Sequence, residues 1–449
     1  MAGAAGFLGT EEFVQGRPQL NFNPTGKDAS NDDAAKARAD RPQPATLVTI
    51  FLRGGADMLN AIVPWGDDLY YKYRPKIGIR PTGKGAEEGV AKLGNSNYWG
   101  LNPRMADLVP MLKKGTLIPI LNVGSPDGTR SHFSAQDNME RGCTTGQSMA
   151  RGWLNRYLEL TKKPYDAPLR GLSAQTLVPR ALRGNYPVLA GNNHTEQMDL
   201  FEKLYSSQNM VNMTERNGAG DEHGTRLDDI NVGQQKAALT SDMTRDIITM
   251  SGANAVDRIK ALEIAEATPN DADYPNGGLA NQLATIARVI KANVGLEVAQ
   301  ADFGGWDVHS AAGGPTGGRM AELTQHLTEC LVAFSQDLGK RMDKVMVLVM
   351  TEFGRTVEEN GALGLDHGRG GWMLAMGNML NGGNFYGKWN GMADTNGGRF
   401  LPVHTDFRSV YAESLYKLFG FNYSQTDIFP GYKGSPTDYL NFMQSLKQA

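Results

Sequence analysis

Apolar residues along the chain fall into short continuous runs separated by amphipathic stretches, the pattern of doubly buried strands alternating with helices. Ala45 to Leu52 is such a run, rich in β-branched residues and bounded by Pro44 and Gly54-Gly55, and it reads as a central strand. Arg104 to Lys114 has helical spacing (Met105, Leu108, Val109, Leu112) interrupted by Pro110, and Thr116 to Val123 is a second buried strand. Ser131 to Arg141 reads as a helix opened by a hydroxyl cap, and Arg151 to Thr161 as another with Trp153, Leu154, Tyr157 and Leu158 on one face. Leu177 to Leu189 reads as a strand. Gln197 to Ser206 and Gln234 to Met250 read as helices around a polar loop at 207–226, and Ala253 to Thr268 and Asn276 to Asn293 as a helical pair parted by Pro269-Asn270-Asp271. Gly295 to Phe303, Lys344 to Met350 and Trp372 to Met376 then read as strands, with a regular helix from Ala321 to Leu338 between the first two. Phe407 to Phe419 and Thr437 to Gln448 close the chain as helices. The alternation predicts one large α/β domain over 45–449 on a mostly parallel sheet.

Composition changes this picture little. The 449 residues carry 45 Lys+Arg against 48 Asp+Glu, a formal net charge of −3, so the basic stripe that nucleic acid or an anionic membrane demands is missing. No apolar run approaches the length of a membrane-crossing helix. Gly16 to Pro44 is polar, rich in Asn, Asp, Lys and Pro, and with Met1 to Gly9 makes 1–44 an extended or poorly ordered arm. Met1 to Gly9 lacks the basic residues of a signal peptide and reads as the stump of one. Cys143 and Cys330 fit no zinc module; they allow one disulfide, but two unpaired, partly buried thiols are the preferred reading. The 54 glycines exceed an average composition and cluster at 53–57, 304–305, 313–318, 361–371 and 382–387.

In an open α/β sheet, ligands bind beyond the carboxyl ends of the strands, and polar clusters stand at those places here. They are Arg53-Gly54-Gly55-Ala56-Asp57, Thr129-Arg130-Ser131-His132, Asp307-Val308-His309 and Thr351-Glu352, with Asp366-His367-Gly368-Arg369 in a following loop. Carboxylate oxygens and imidazole nitrogens converging from several strand ends suit a divalent cation such as Zn, Mn, Mg or Ca. Each piece also has a plain structural role open to it. Asp57 can cap a turn, Ser131 a helix, Asp307 and His309 can form a hydrogen-bonded pair, and Glu352 can pair with Arg355 or Arg369. His194, His223, His326 and His404 read as structural or solvated, whereas His132 beside Ser131 stays open as a catalytic group.

Leu52-Arg53-Gly54-Gly55-Ala56-Asp57 with Asn60 and Pro64, Ser131-His132-Phe133 with Ala135, Gln136 and Glu140, Gly152-Trp153-Leu154, Gly305-Trp306-Asp307-Val308-His309, Glu352-Phe353-Gly354-Arg355 and Asp366-His367-Gly368 together resemble the bacterial domain-of-unknown-function family 1501. That family is similar to the alkaline-phosphatase and sulfatase superfamily. The resemblance implies a three-layer α/β/α sandwich with a metal-bearing site at the strand ends. It places Asp57, Ser131, Asp307, His309, Glu352 and His367, with Asp366 beside it, around one or two divalent cations. Ser131 becomes the nucleophile, with His132 next to it, on a phosphate or sulfate ester of a small molecule or polymer, and Arg53, Arg355 or Arg369 the clamps on its anionic oxygens. Two departures bear on the site. Phe353 stands where the superfamily has an imidazole ligand, and Asp307-Val308-His309 is a shorter spacing than the superfamily's. A degenerate site would fit the alternative of a non-catalytic exported binding or assembly protein. Twin-arginine leaders of the family imply a periplasmic or extracellular location.

Overall fold

The computed structural model describes residues 42–81, 89–93, 96–147, 149–163, 167–191, 258, 261–314, 317–383, 385–395, 398–421 and 428–446. The helices expected at Gln197 to Ser206 and Gln234 to Met250, the loop between them, His194, His223 and nearly all of the arm at 1–44 lie outside these residues.

The described strands are β1 (Thr46–Leu52), β2 (Ile62–Val63), β3 (Ala91–Lys92), β4 (Gly100–Leu101), β5 (Leu117–Gly124), β6 (Gly171–Ser173), β7 (Leu189–Ala190), β8 (Val298–Phe303), β9 (Val345–Thr351), β10 (Gly371–Met376) and β11 (Thr405–Asp406). The α-helices are α1 (Asp68–Tyr73), α2 (Val109–Lys114), α3 (His132–Arg141), α4 (Trp153–Leu160), α5 (Gly278–Lys291), α6 (Arg319–Leu338) and α7 (Phe407–Phe419). The main sheet runs β11-β5-β10-β9-β1-β8-β6-β7, and a small second sheet runs β2-β4-β3. β1 lies parallel between β8 and β9, with Leu52 level with both Phe303 and Thr351. β10 alone in the main sheet runs antiparallel to its neighbours, β5 and β9. Its first residue therefore lies at the same edge as the last residues of β1, β5, β8 and β9.

Two cores cover the two faces, as strict alternation along buried strands requires. From β1, Val48, Ile50 and Leu52 point into one core, which is completed by α5 and α6, while Leu47 and Phe51 point into the other, completed by α4 and α7. In β9, Val345, Val347 and Val349 join the first and Met346, Leu348 and Met350 the second. The result is a three-layer α/β/α sandwich on a mostly parallel sheet, as expected. Among the described residues no helix is long and apolar enough to cross a membrane. Both cysteines are free and buried.

Three expected elements differ. The helix over 104–114 is split into a 3-10 turn (Pro103–Leu108) and α2, because Pro110 falls in the first turn of α2, where its missing N–H costs nothing. Leu177 to Leu189 is not a strand: Pro179 leads into a 3-10 turn at Arg180–Leu182, and only Leu189 of that stretch joins β7. Asn155 of α4 takes the place of a strand partner there, its amide donating to the carbonyls of Leu182 (2.9 Å) and Tyr186 (2.8 Å). Thr437 to Gln448 is not helical in its described part. After a single 3-10 turn at Pro436–Asp438 the chain runs irregularly, its N–H groups at Asn441 and Gln444 donating to the Glu413 carboxylate (3.0 Å) and the Met379 carbonyl (2.8 Å).

Candidate metal centre

Each loop at this edge is held to the next by backbone. After β1, Arg53 N donates to the Phe303 carbonyl (2.9 Å), and Trp306 N returns a bond to the Arg53 carbonyl (3.2 Å). That close pass requires glycine at 54: its φ is +121°, and a Cβ there would sit 2.4 Å from the backbone nitrogen of Asp307. Glu352 follows β9 directly. Ser131 caps α3 with extended backbone (φ −87°, ψ 122°), which makes His132 the first helical residue. The loop before β10 is tied down by a bridge between His367 and Arg355 and by Leu365 N donating to the Val308 carbonyl (2.9 Å).

Three imidazoles and one carboxylate meet where these loops converge. Asp307 Oδ1 lies 3.3 Å from His132 Nε2, 3.1 Å from His309 Nε2 and 3.5 Å from His367 Nε2, and the last two nitrogens are 2.9 Å apart. The other nitrogen of every ring faces an acceptor. His132 Nδ1 bonds Glu352 Oε1 (2.7 Å), His309 Nδ1 faces Asp366 Oδ1 (3.2 Å), and His367 Nδ1 bonds the Arg130 carbonyl (2.7 Å). A carbonyl only accepts, so the proton of neutral His367 sits on Nδ1 and its Nε2 presents a lone pair. A carboxylate at the Nδ1 atoms of His132 and His309 favours the same tautomer, and His132 Nε2 is buried with no hydrogen-bond partner. Lone pairs gathered this way repel one another unless a proton or a cation stands among them.

Charge around the cluster is arranged to keep the carboxylates ionised. Burial pushes the Asp307 carboxyl up, but the bond from Arg355 Nη2 (2.6 Å) and the nearby imidazoles outweigh it and hold it below its ordinary range. Glu352 is opposed by still deeper burial, yet bonds from His132 and Gln136 keep it low as well. The bond to Glu352 raises His132, despite partial burial. His367 is lowered, first by burial and then by the neighbouring positive groups, while the Arg130 carbonyl works the other way. Asp366 is held low chiefly by its bond with His309. Phe353 walls the cluster, its ring centroid 4.8 Å from that of His132 and 5.0 Å from that of His367.

The family described as "Protein of unknown function (DUF1501)" matches residues 118–425, well over half of the chain. The chain belongs to that family. No curated protein matches this DUF1501 chain. Among solved structures, the PsFucS1 sulfatase from Pseudoalteromonas sp. aligns with 93% of this chain and 77% of its own at 11% sequence identity and a TM-score of 0.34, too distant a likeness to bear on function.

Of the residues singled out in the DUF1501 sequence, the structure gathers His132, Asp307, His309 and His367, with Glu352 and Asp366 behind two of the rings. His132, Asp307 and His367 satisfy the spacing of a metal-holding group. Asp57 does not join them. Its two oxygens accept from Arg74 (2.5 and 2.9 Å) and from the Asn60 amide (2.8 Å) in a fully buried pair, so the turn-capping role open to it at the sequence level describes it better. Arg53 is engaged by Glu140 (3.1 Å) and Asp302 (2.7 Å), and Arg355 by backbone carbonyls and Asp307, so neither guanidinium is at liberty to clamp a ligand. Ser131 is exposed and makes no capping bond with its side chain. His404 pairs with Asp394 (2.8 Å) and His326 packs on Phe303, the structural roles expected of them. Sequence reasoning overlooked Arg74, which directly follows α1 17 positions after Asp57, and gave Gln136, one turn after His132, no role beyond the resemblance.

Proposed function

We propose that the protein is a hydrolase of phosphate or sulfate esters that uses one divalent cation held by His132, Asp307, His309 and His367. The observation that carries this reading is the inward convergence of three Nε2 atoms whose Nδ1 atoms are all tied to acceptors, the arrangement by which proteins orient histidine ligands. Four of the six separations among these atoms, Asp307 Oδ1 to each nitrogen and His309 Nε2 to His367 Nε2, run from 2.9 to 3.5 Å, close to the edge, about 3.3 Å, of a tetrahedron with bonds of about 2.0 Å. Of the four ions expected, a nitrogen-rich donor set favours Zn over the oxygen-seeking Mn, Mg and Ca. With Asp57 paired to Arg74 and an apolar ring at Phe353, a second cation lacks ligands, so one ion replaces the one or two expected. When bound, such an ion polarises an ester oxygen and neutralises developing charge. Ser131, its hydroxyl uncommitted at the start of α3, supplies the nucleophile, and the helix N-terminus favours the anionic group it attacks. The periplasm or the extracellular space is the proposed place of action, on the strength of the family resemblance alone.

The test is elemental analysis of the purified protein with a screen of aryl phosphates and sulfates. The expected result is one divalent ion per chain, lost in Asp307→Ala and His367→Ala, and turnover that disappears in Ser131→Ala while the ion stays. A wild-type protein that retains no ion overturns the centre, and undiminished turnover in Ser131→Ala overturns the nucleophile. Retained metal without turnover on any ester supports instead a non-catalytic binding or assembly protein, the reading that Phe353 in a ligand position favours.

A further inference from the structure

Three arginines near the candidate centre have guanidiniums that the one-cation account leaves unassigned: Arg130, Arg399 and Arg369, the last offered as a clamp by the resemblance. Arg130, whose carbonyl holds His367, places its guanidinium 4.7 Å from the centre of the Phe400 ring, and Arg399 places its own 5.5 Å from the same ring. Arg369 lies two residues beyond His367 and packs against Gly128, where a Cβ would meet its Nη2 at 2.7 Å. The segments are stitched together: Gly370 N donates to the Leu401 carbonyl (2.9 Å), Val357 N to the Arg399 carbonyl (2.9 Å), and Thr356 bridges Phe400. Among the described residues none of the three guanidiniums forms an ion pair, and Arg369 Nε is buried with no hydrogen-bond partner. Asp127 takes the Thr129 and Thr145 amides and the Asn138 side chain, and Asp366 takes His309 and Asn360 and feels the Arg399 charge without forming an ion pair with it.

Arg130 and Arg399 thus flank one aromatic ring, Arg369 packs nearby on Gly128, and with no ion-pair partner among the described residues the three can receive an anion from outside. We infer that Arg130, Arg369 and Arg399 form an anion-binding rim that selects esters carrying a second anionic group beyond the one at the metal centre. The substrate class is thus an ester that is anionic at two points, such as a multiply sulfated or phosphorylated molecule. This inference rests on the proposed function, and its failure is separable from failure of that reading.

Binding of benzenesulfonate and benzene-1,3-disulfonate to the zinc-loaded protein, by calorimetry at low and moderate salt, tests it. The disulfonate is expected to bind at least tenfold more tightly than the monosulfonate, with a steeper loss on adding salt. In the double variant Arg130→Gln/Arg399→Gln, checked for fold and zinc content, that preference is expected to fall to about twofold while the monosulfonate affinity is unchanged. An equal preference in wild type and double variant overturns the rim, even where zinc is retained. In Asp307→Ala, arginine-dependent disulfonate binding as strong as in wild type upholds the rim and overturns the metal-centred reading instead.

Discussion

Glu352 shows how much one side chain organises at this edge of the sheet. Its Oε1 accepts from His132 Nδ1 (2.7 Å), Gln136 Nε2 (2.9 Å) and the Gly54 amide (2.9 Å), and its Oε2 from Thr351 (3.1 Å). Such a carboxylate is an orienter of a ligand, and the orienting bond makes the imidazole a better donor. Glu352→Gln keeps the volume but replaces one acceptor oxygen with a donor, so His132 loses its fixed tautomer. Zinc affinity, measured by chelator competition, is expected to fall about 10- to 100-fold in this variant with little change in far-UV circular dichroism. An unaltered affinity would show that Glu352 does not act through His132. Residue types were legible in advance, since His, Asp and Glu at strand ends already pointed to a cation. Their division of labour was not, because which ring nitrogen faces inward depends on acceptors far off in sequence, such as the Arg130 carbonyl 237 positions from His367. Asp57 gave no sign of its pairing for the same reason. Its partner Arg74 also donates to the carbonyls of Val357 (3.0 Å) and Thr356 (2.9 Å), contacts that only tertiary structure reveals. Arg74→Met strands a buried carboxylate and is expected to cost about 3–5 kcal/mol in chemical denaturation; a loss below about 1 kcal/mol would contradict the pair's importance.

Between elements, the decisive contact is the pass of the loop after β1 against the loop after β8. Gly54→Ala would have to give up its φ of +121° and also clear the Trp306 and Asp307 backbone, where its Cβ would come within 2.4 to 3.0 Å. Relief requires moving Asp307, so the expected outcome is a stability loss of at least about 1–3 kcal/mol together with loss of bound zinc, read by thermal melting and elemental analysis. Full zinc content in a stable Gly54→Ala protein would refute the close pass. The strands that frame this contact were the most readable part of the sequence. β1 and β9 are unbroken apolar runs that only a doubly covered strand explains, and Gly54-Gly55 marks where β1 must stop. Elements with mixed signals were less readable. Leu177 to Leu189 alternates like a strand, but its prolines and the bonds from Asn155 win. Thr437 to Gln448 has helical spacing, but its amides are taken by Glu413 and Met379. The antiparallel direction of β10 was also invisible, although it decides that the Asp366-His367 loop reaches the same edge as the other strand ends.

At the scale of the whole molecule, Glu413 in α7 stands out among the described ionisable groups. It is fully buried, its Oε2 accepts from the Asn441 amide (3.0 Å) and its Oε1 has no partner. Burial pushes its carboxyl up to about 7, although the backbone amides of Asn441, Phe442 and Met443 pull the other way. A carboxyl raised in the folded state binds its proton more tightly there than in the unfolded chain. Its stabilising contribution is therefore complete below the ordinary range near pH 4.5 and is lost progressively up to about pH 7. The span corresponds to about 3 kcal/mol. Glu413→Gln cannot titrate, so the stability difference between variant and wild type should shift in the variant's favour by about this amount between pH 4.5 and pH 7 and stay level above. Matched denaturant titrations across that range measure the difference and cancel groups common to both proteins, including the histidines at the opposite edge of the sheet. The Asn441, Phe442 and Met443 amides bond the charged form, so it is burial that opposes ionisation; an opening of the last segment that hydrates the carboxylate becomes easier as the pH rises through 7, and protease should reach this segment more readily in wild type but not in Glu413→Gln. Parallel stability profiles for the two proteins, with no pH-dependent cleavage, would mean that Glu413 is ionised throughout and neutralised by a group other than those amides.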